Sequence, residues 1–400
     1  MITPLPFRTW LYFGAQSINL TTAVMSVAMA AIVGAEITGN DTLATLPYGI
    51  QFLTLMLATY PASRLMSHLG RRRGFLIGNA FLAVSGAVGF LAVQHESFVL
   101  LSVAHGALGV YIAFANFNRF AATDGLQNGL KSRAMSLVVA GGVLAAIIGP
   151  LASAVLWNTP GYNHFALSYS LFIPLAILAT CIAMMLPDST SRPPRERAED
   201  SAQPDQLLKR RRVLLAIAVS ALGYGVMNLL MIQASLHMHD LKTPFHDVNT
   251  AIQWHVLAMF LPSFFTGRLI NRLGHQAMIT FGLGLLITTA LLNVATEGWL
   301  SMALTLVVLG LGWNVTYISG GALLAHTLGD SSRAMRLQGI NDMAIAVMAT
   351  LGAFLPSILQ VTLGWQTTNL IVAVLCAVML LGVMLVLSRR RHGAFVSGAA

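Results

Sequence analysis

Apolar residues in this chain neither alternate with polar ones nor recur only every third or fourth position. They come in runs of about twenty or more, separated by short polar breaks. An α-helix rises about 1.5 Å per residue, so roughly 20 mostly apolar residues cross a bilayer's hydrocarbon core. Twelve runs reach that length, at 9–34, 43–66, 74–94, 98–122, 133–157, 164–187, 212–236, 248–270, 276–295, 299–326, 335–360 and 366–388. The pattern predicts an all-α membrane protein of twelve transmembrane helices. The first run is expected to be a span and not a cleaved signal. It is too long, carries Gln16 and Asn19, and leads straight into a second run.

Composition agrees. Hydrophobic residues make up 56% of the 400 and charged residues 9%, against roughly 25% charged in an ordinary globular domain. The mean hydropathy is +0.73. So few charges could not cover a water-soluble surface. The two cysteines, Cys181 and Cys376, both lie in apolar runs, so no disulfide framework or thiolate metal site is expected.

The net charge of +9 could suggest a nucleic-acid partner, but its placement argues otherwise. With the N-terminus placed inside, 22 of the 23 basic residues fall on one side of the twelve-span topology, and only Lys242 does not. The positive-inside rule therefore places both termini in the cytoplasm. The basic residues read as a topology signal that also meets anionic headgroups.

The one long polar stretch, Asp188 to Gln206, holds Arg-Pro-Pro-Arg-Glu-Arg-Ala-Glu-Asp and reads as a flexible linker. It divides the chain into a six-helix bundle at 1–187, a cytoplasmic linker at 188–211 and a second bundle at 212–400. The halves share sequence marks at a shift near 200. Ser132-Arg133-Ala134-Met135 opens the fifth span and Ser332-Arg333-Ala334-Met335 the eleventh. Ser63-Arg64-Leu65-Met66-Ser67-His68-Leu69-Gly70-Arg71-Arg72 follows the second span, and Gly267-Arg268-Leu269-Ile270-Asn271-Arg272-Leu273-Gly274-His275 the eighth. Duplicated six-span halves are an organisation that secondary transporters use, with substrate held near the midplane at the repeat interface.

Twelve spans, a central loop and this loop motif resemble the major facilitator superfamily. Its motif between spans 2 and 3 reads roughly Gly-x-Leu-Ala-Asp-Arg-x-Gly-Arg-Lys. Leu65, Gly70, Arg71 and Arg72 match it, whereas Ser63 replaces the first glycine and Ser67 the acidic residue. The second copy keeps Gly267, Leu269, Arg272 and Gly274, with Asn271 at the acidic position. Gly141, Gly142, Gly149 and Pro150 resemble in part a glycine-rich run common in the family's proton-driven exporters. His105 and Gly109 occupy a fourth-span pattern that often begins with arginine. The resemblance implies two pseudo-symmetric bundles, a cytoplasmic gate at Arg64, Gly70, Arg71, Arg72, Arg119, Asp124, Gly267, Arg272 and Gly274, and a cavity lined by spans 1, 2, 4, 5, 7, 8, 10 and 11.

No phosphate-binding loop, dinucleotide fingerprint or nucleophile elbow occurs. The expectation is transport without direct ATP use, without a cofactor and without enzymatic chemistry. Ionisable residues inside a span are expensive and so are functional candidates. Asp342 lies about two turns into span 11, with Gln338 one turn earlier on the same face and Asn341 beside it. It reads as a proton carrier, or as a structural partner of Arg119 or Arg64. Asp124 is expected to pair with Arg119. His105 is the second proton-coupling candidate, since imidazole changes charge near neutral pH; the bland reading, which weighs more, is a satisfied interior hydrogen-bonder. His237, His239, His246 and His255 near spans 7 and 8 could suit a borderline metal, but a polar external loop with scattered histidines is the better reading and no metal site is favoured.

Gln16, Asn19, Tyr48, Gln51, Tyr224, Asn228, Trp313, Asn314, Tyr317, Gln338 and Asn341 are the neutral cavity candidates. Their alternative is hydrogen bonding from helix to helix. A cavity with so little fixed charge suits a neutral or amphipathic small organic solute. Proton-coupled export is the first expectation, followed by uptake of a neutral nutrient such as a vitamin. Metal-ion export comes third, and a non-transporting receptor is the reading from another class. The expected setting is a bacterial-type cytoplasmic membrane, and the expected form a monomer whose partners are a small-molecule substrate, protons and lipid, with no nucleic acid.

Overall fold

The computed structural model describes residues 4–39, 46–187, 204–329 and 334–387. Among them are sixteen α-helices and no strand. They are α1 (Phe7–Thr38), α2 (Leu46–Leu69), α3 (Arg71–Gln94), α4 (Phe98–Ala115), α5 (Asn118–Ala121), α6 (Asn128–Val139), α7 (Gly142–Leu156), α8 (Ala166–Ser170) and α9 (Phe172–Met185). The series continues with α10 (Pro204–Asp240), α11 (Phe245–Phe260), α12 (Ser263–Leu273), α13 (His275–Ala295), α14 (Trp299–Leu328), α15 (Ala334–Thr362) and α16 (Gly364–Leu387).

Each of the twelve apolar runs falls on one of these helices or on a broken pair. Nine spans among the described residues are long and apolar enough to cross a membrane, and a tenth is α1, which bends between Val27 and Ile32. The other two runs fall on α2 and on α11 with α12. Helix α2 turns Gln51, Thr59 and Ser63 to its buried side, which dilutes its hydropathy. The run at 248–270 is broken where Pro262, which has no N–H to donate, precedes α12. The 16 and 11 residues on either side are each too short to cross alone. Most of the predicted linker lies outside the described residues. Residues 204–211, expected within it, form the first turns of α10.

The chain clusters into two compact units. The first comprises Met1–Asp124, Leu137–Arg195 and Ser332–Ala346, and the second Gly125–Ser136, Glu196–Ser331 and Val347–Ala400. In the first, α4 lies between α2 and α3, α1 packs on α7, and α9 on α3. In the second, α14 is central, packed by α10, α11 and α13, and buried on every side from Gly312 to Ala325.

Both units are built inside out compared with a water-soluble domain. Large apolar side chains stand exposed along α7, α9 and α16, among them Ile147, Leu151, Ile177, Leu178, Val374, Val378 and Leu381. Polar ones, including Gln16, Asn19, Gln51, Asn79, Asn228, Asn314 and Asn369, are buried. A lipid surround rewards this arrangement, because apolar groups lose nothing there while polar groups must find partners within the protein.

The duplicated motif is visible in the backbone. Gly70 (φ 86°, ψ 162°) caps the start of α3, and Gly274 (φ 85°, ψ 159°) caps the start of α13. Both occupy a region that side-chain-bearing residues rarely adopt, so glycine is needed at the same place in each half.

Candidate functional site

The first unit holds a buried charged centre. Arg119 lies in α5, the short helix that follows α4, and Asp342 lies in the third turn of α15. An Arg119 Nη2–H donates to Asp342 Oδ1, and the two side chains are only 2% and 4% exposed. Asn341 Nδ2 donates to the same oxygen at 2.9 Å, while Asp342 Oδ2 has no hydrogen-bond partner among the described residues. The Arg119 guanidinium also lies 4.6 Å from the centre of the Phe120 ring. Of the two arginines expected to face Asp342, Arg119 fills the role, and Arg64 is exposed.

Arg71 forms a second layer. Its Nη2 donates to Gln338 Oε1 at 2.6 Å and its Nε to Asp124 Oδ2 at 3.0 Å. Asp124 was expected to pair with Arg119. It pairs with Arg71 instead, and Arg8 donates to its backbone carbonyl. The loop motif thus supplies an arginine that becomes buried, while Arg72 remains partly exposed. Close helix contact makes this possible. Ser63 Oγ donates to the Met335 carbonyl at 2.7 Å, and a Cβ on Gly339 would collide with the Ser63 side chain.

His105 is buried in a neutral network. Its Nδ1–H donates to Gln51 Oε1 at 2.9 Å, and its Nε2 accepts from the Tyr169 hydroxyl at 2.9 Å. Both ring nitrogens are therefore engaged. The approach of α2 and α4 that brings Gln51 to His105 requires Gly109, where a Cβ would run into the Gln51 carbonyl and Thr54 Oγ1. Gln16 and Asn19 join a third cluster: Asn118 Nδ2 donates to Gln16 Oε1 at 3.4 Å and Asn19 Nδ2 to Asn116 Oδ1 at 3.2 Å. Tyr48 packs edge-on against Phe52.

In the second unit, Tyr224, Trp313 and Tyr317 come together with Phe260. Asn228 and Asn314 are engaged with neighbouring helices. Asn228 Nδ2 donates to the Ala349 carbonyl at 3.1 Å. Asn314 Nδ2 bonds the Met259 carbonyl and Ser263 Oγ, and its Oδ1 accepts from Thr266, tying α14 across the α11–α12 break. Gly267 packs tightly on the 132–136 segment, where its N–H donates to Ser136 Oγ at 2.9 Å. Arg272 is exposed and Gly274 forms the cap described above.

His237 stacks on Trp365 at 4.6 Å, and His255 donates from Nδ1 to the Leu306 carbonyl at 2.7 Å. The side chains of His239 and His246 lie outside what the structure describes. Among the described residues, no group of three or more His, Cys, Asp or Glu side chains is placed to hold a metal ion. Tyr169, Asn116, Asn118 and Phe260 escape a sequence reading. The only signal for Tyr169 and Phe260 is that each lies inside an apolar run, which fits core packing just as well.

The model of the Major Facilitator Superfamily matches residues 11–243 and 213–399, which covers both halves. The chain belongs to the major facilitator superfamily. It is a multi-pass membrane transporter of a small solute and not an enzyme. It is 30% identical over 376 residues to the riboflavin transporter RfnT of Brucella anthropi, covering 93% of each chain. Its fold is similar to that of the human organic anion transporter MFSD10 (TM-score 0.76, 15% identity, 95% of this chain and 100% of that one). It is also similar to that of the transporter FucP in its outward conformation (TM-score 0.72, 14% identity, 96% and 99%).

Proposed function

We propose that this member of the superfamily is a secondary transporter of a bacterial cytoplasmic membrane. It carries a neutral, vitamin-type organic solute inward together with protons. The observation that carries the coupling is the Arg119–Asp342 pair, a carboxylate–guanidinium contact almost wholly removed from water. Asp342 keeps one oxygen without a hydrogen bond among the described residues, and that oxygen is where a proton adds. Protonation abolishes the charge attraction to Arg119 and frees α15 from α5. Loss of the proton restores it. An equilibrium between two conformations is biased in this way by whatever differs between them in charge and contact.

The solute class is supported by the similarity to a riboflavin transporter over nearly the whole chain. It is supported too by the polar candidates, most of which are amides, hydroxyls and aromatic rings, and not the convergent arginines that phosphates or dicarboxylates call for. Export is the second reading and rests on the partial glycine–proline run. Packing offers another account of that run: a Cβ on Gly149 would press on Val24, and one on Gly141 on Ser17, so both glycines serve the contact of α1 with α7.

Counterflow tests the reading. Liposomes holding purified protein and unlabelled riboflavin should draw in labelled riboflavin faster than protein-free liposomes. Saturable exchange is the expected result. No exchange of riboflavin or of any neutral vitamin would overturn it.

A further inference from the structure

The second unit contains four aromatic rings gathered from three helices, and the coupling mechanism uses none of them. Trp313 and Tyr317, one turn apart on α14, lie nearly parallel at 4.8 Å and 14°. Tyr224 of α10 meets both rings edge-on, at 5.7 Å and 5.8 Å, and Phe260 of α11 meets Trp313 at 5.6 Å. Trp313 is only 3% exposed, yet its indole Nε1–H has no hydrogen-bond partner among the described residues. Most buried polar groups in native proteins are satisfied, and an exception within a membrane span calls for a reason. Asn314, beside Trp313, is fully bonded to α11 and α12, so this region is otherwise well supplied with partners. Tyr224 is partly exposed, which gives the cluster an accessible edge.

We infer that this cluster binds a planar heteroaromatic ring whose in-plane acceptor takes the Trp313 indole N–H. The inference rests on the vitamin-type reading above and adds which part of the solute is recognised, and by what. Aromatic faces favour offset-stacked or edge-to-face contact with a flat ring, and an indole usually finds an acceptor when buried. An aromatic cluster could instead enclose a quaternary ammonium ion. Two features disfavour that choice. The parallel Trp313–Tyr317 stack has no cation-sized gap between its rings, and a cation offers no acceptor to the unmatched donor. A sugar would supply acceptors and a C–H face, but no π-system for offset-stacked or edge-to-face contact with the rings.

The test is riboflavin binding to the purified full-length protein, followed by quenching of flavin fluorescence. Lumichrome, the ring system alone, should compete, whereas choline and fucose should not. Trp313→Phe keeps a ring but removes the donor, and should weaken binding about tenfold. Should that variant fail to fold, Tyr224→Leu removes a partly exposed ring and should also weaken binding about tenfold. Parent-like affinity in a folded Trp313→Phe protein would overturn the inference. So would competition by choline and not by lumichrome, or failure of the parent to bind either flavin or lumichrome. Riboflavin exchange that survives with unchanged affinity in Trp313→Phe would sink this inference and leave the transport reading standing. Tight, Trp313-dependent binding without any exchange would do the opposite.

Discussion

Breaking the Arg119–Asp342 pair should be costly, and breaking both sides together should cost less than the sum. The side chains are 2% and 4% exposed, so solvent screens the charges little. Removing one partner of a buried ion pair leaves the other uncompensated, typically at about 3–5 kcal/mol. Asp342→Asn takes the opposite charge away from the Arg119 guanidinium, and Arg119→Gln takes it away from the Asp342 carboxylate. The double variant strands neither, because two amides can hydrogen-bond. We expect each single change to destabilise by about 3 kcal/mol. The double should recover a coupling of about 1–3 kcal/mol relative to additivity. Unfolding can be followed with a thiol-reactive dye at Cys376, which is buried, in a Cys181→Ser background because Cys181 is exposed. Additivity within about 0.5 kcal/mol would refute the claim that these two residues stabilise each other.

Three other outcomes follow. Gly109→Val should destabilise by about 3 kcal/mol or more, measured with the same dye, because its first added atom already overlaps the Gln51 carbonyl and Thr54 hydroxyl; a variant as stable as the parent would contradict the close α2–α4 contact. His105→Gln should lower stability by about 1–3 kcal/mol through the stranded Tyr169 hydroxyl yet keep the response to a pH gradient, and loss of that response would move the proton site to α4. Cysteines at Ser191 and Thr243 should react with impermeant maleimides from opposite faces of intact membranes, and labelling of both from the same face would contradict the topology.

Helix placement was legible because the signal is local. A run such as 299–326 carries its own length and hydropathy, and the structure puts α14 at Trp299–Leu328. The candidate proton site was legible in part, because a carboxylate in an apolar run is rare enough to single out Asp342. Its arginine was narrowed to two, and the choice depended on helix geometry across 223 positions. The same long-range geometry explains the misassigned partner of Asp124. Sequence marks Arg71 as a gate candidate in a basic loop, and only tertiary packing brings it to Gln338 and Asp124. Helix breaks were also hidden. Pro262 and the turn at Ala140–Gly141 interrupt runs whose hydropathy is continuous, since hydropathy averages over a window that a single broken turn barely changes. Tyr169 could not be told from a core aromatic, because its function in the network is a hydroxyl meeting His105 from 64 positions away.

In the proposed mechanism Asp342 carries the proton that drives solute accumulation. The most direct measurement compares parent and Asp342→Asn proteins in empty liposomes with labelled riboflavin supplied outside, with and without an imposed pH gradient. Asparagine preserves shape and hydrogen bonding but cannot take up or release the proton. The parent should accumulate riboflavin above equilibrium only with the gradient, and Asp342→Asn should exchange riboflavin but never accumulate it. Full gradient-driven accumulation by Asp342→Asn would show that Asp342 is not the proton carrier.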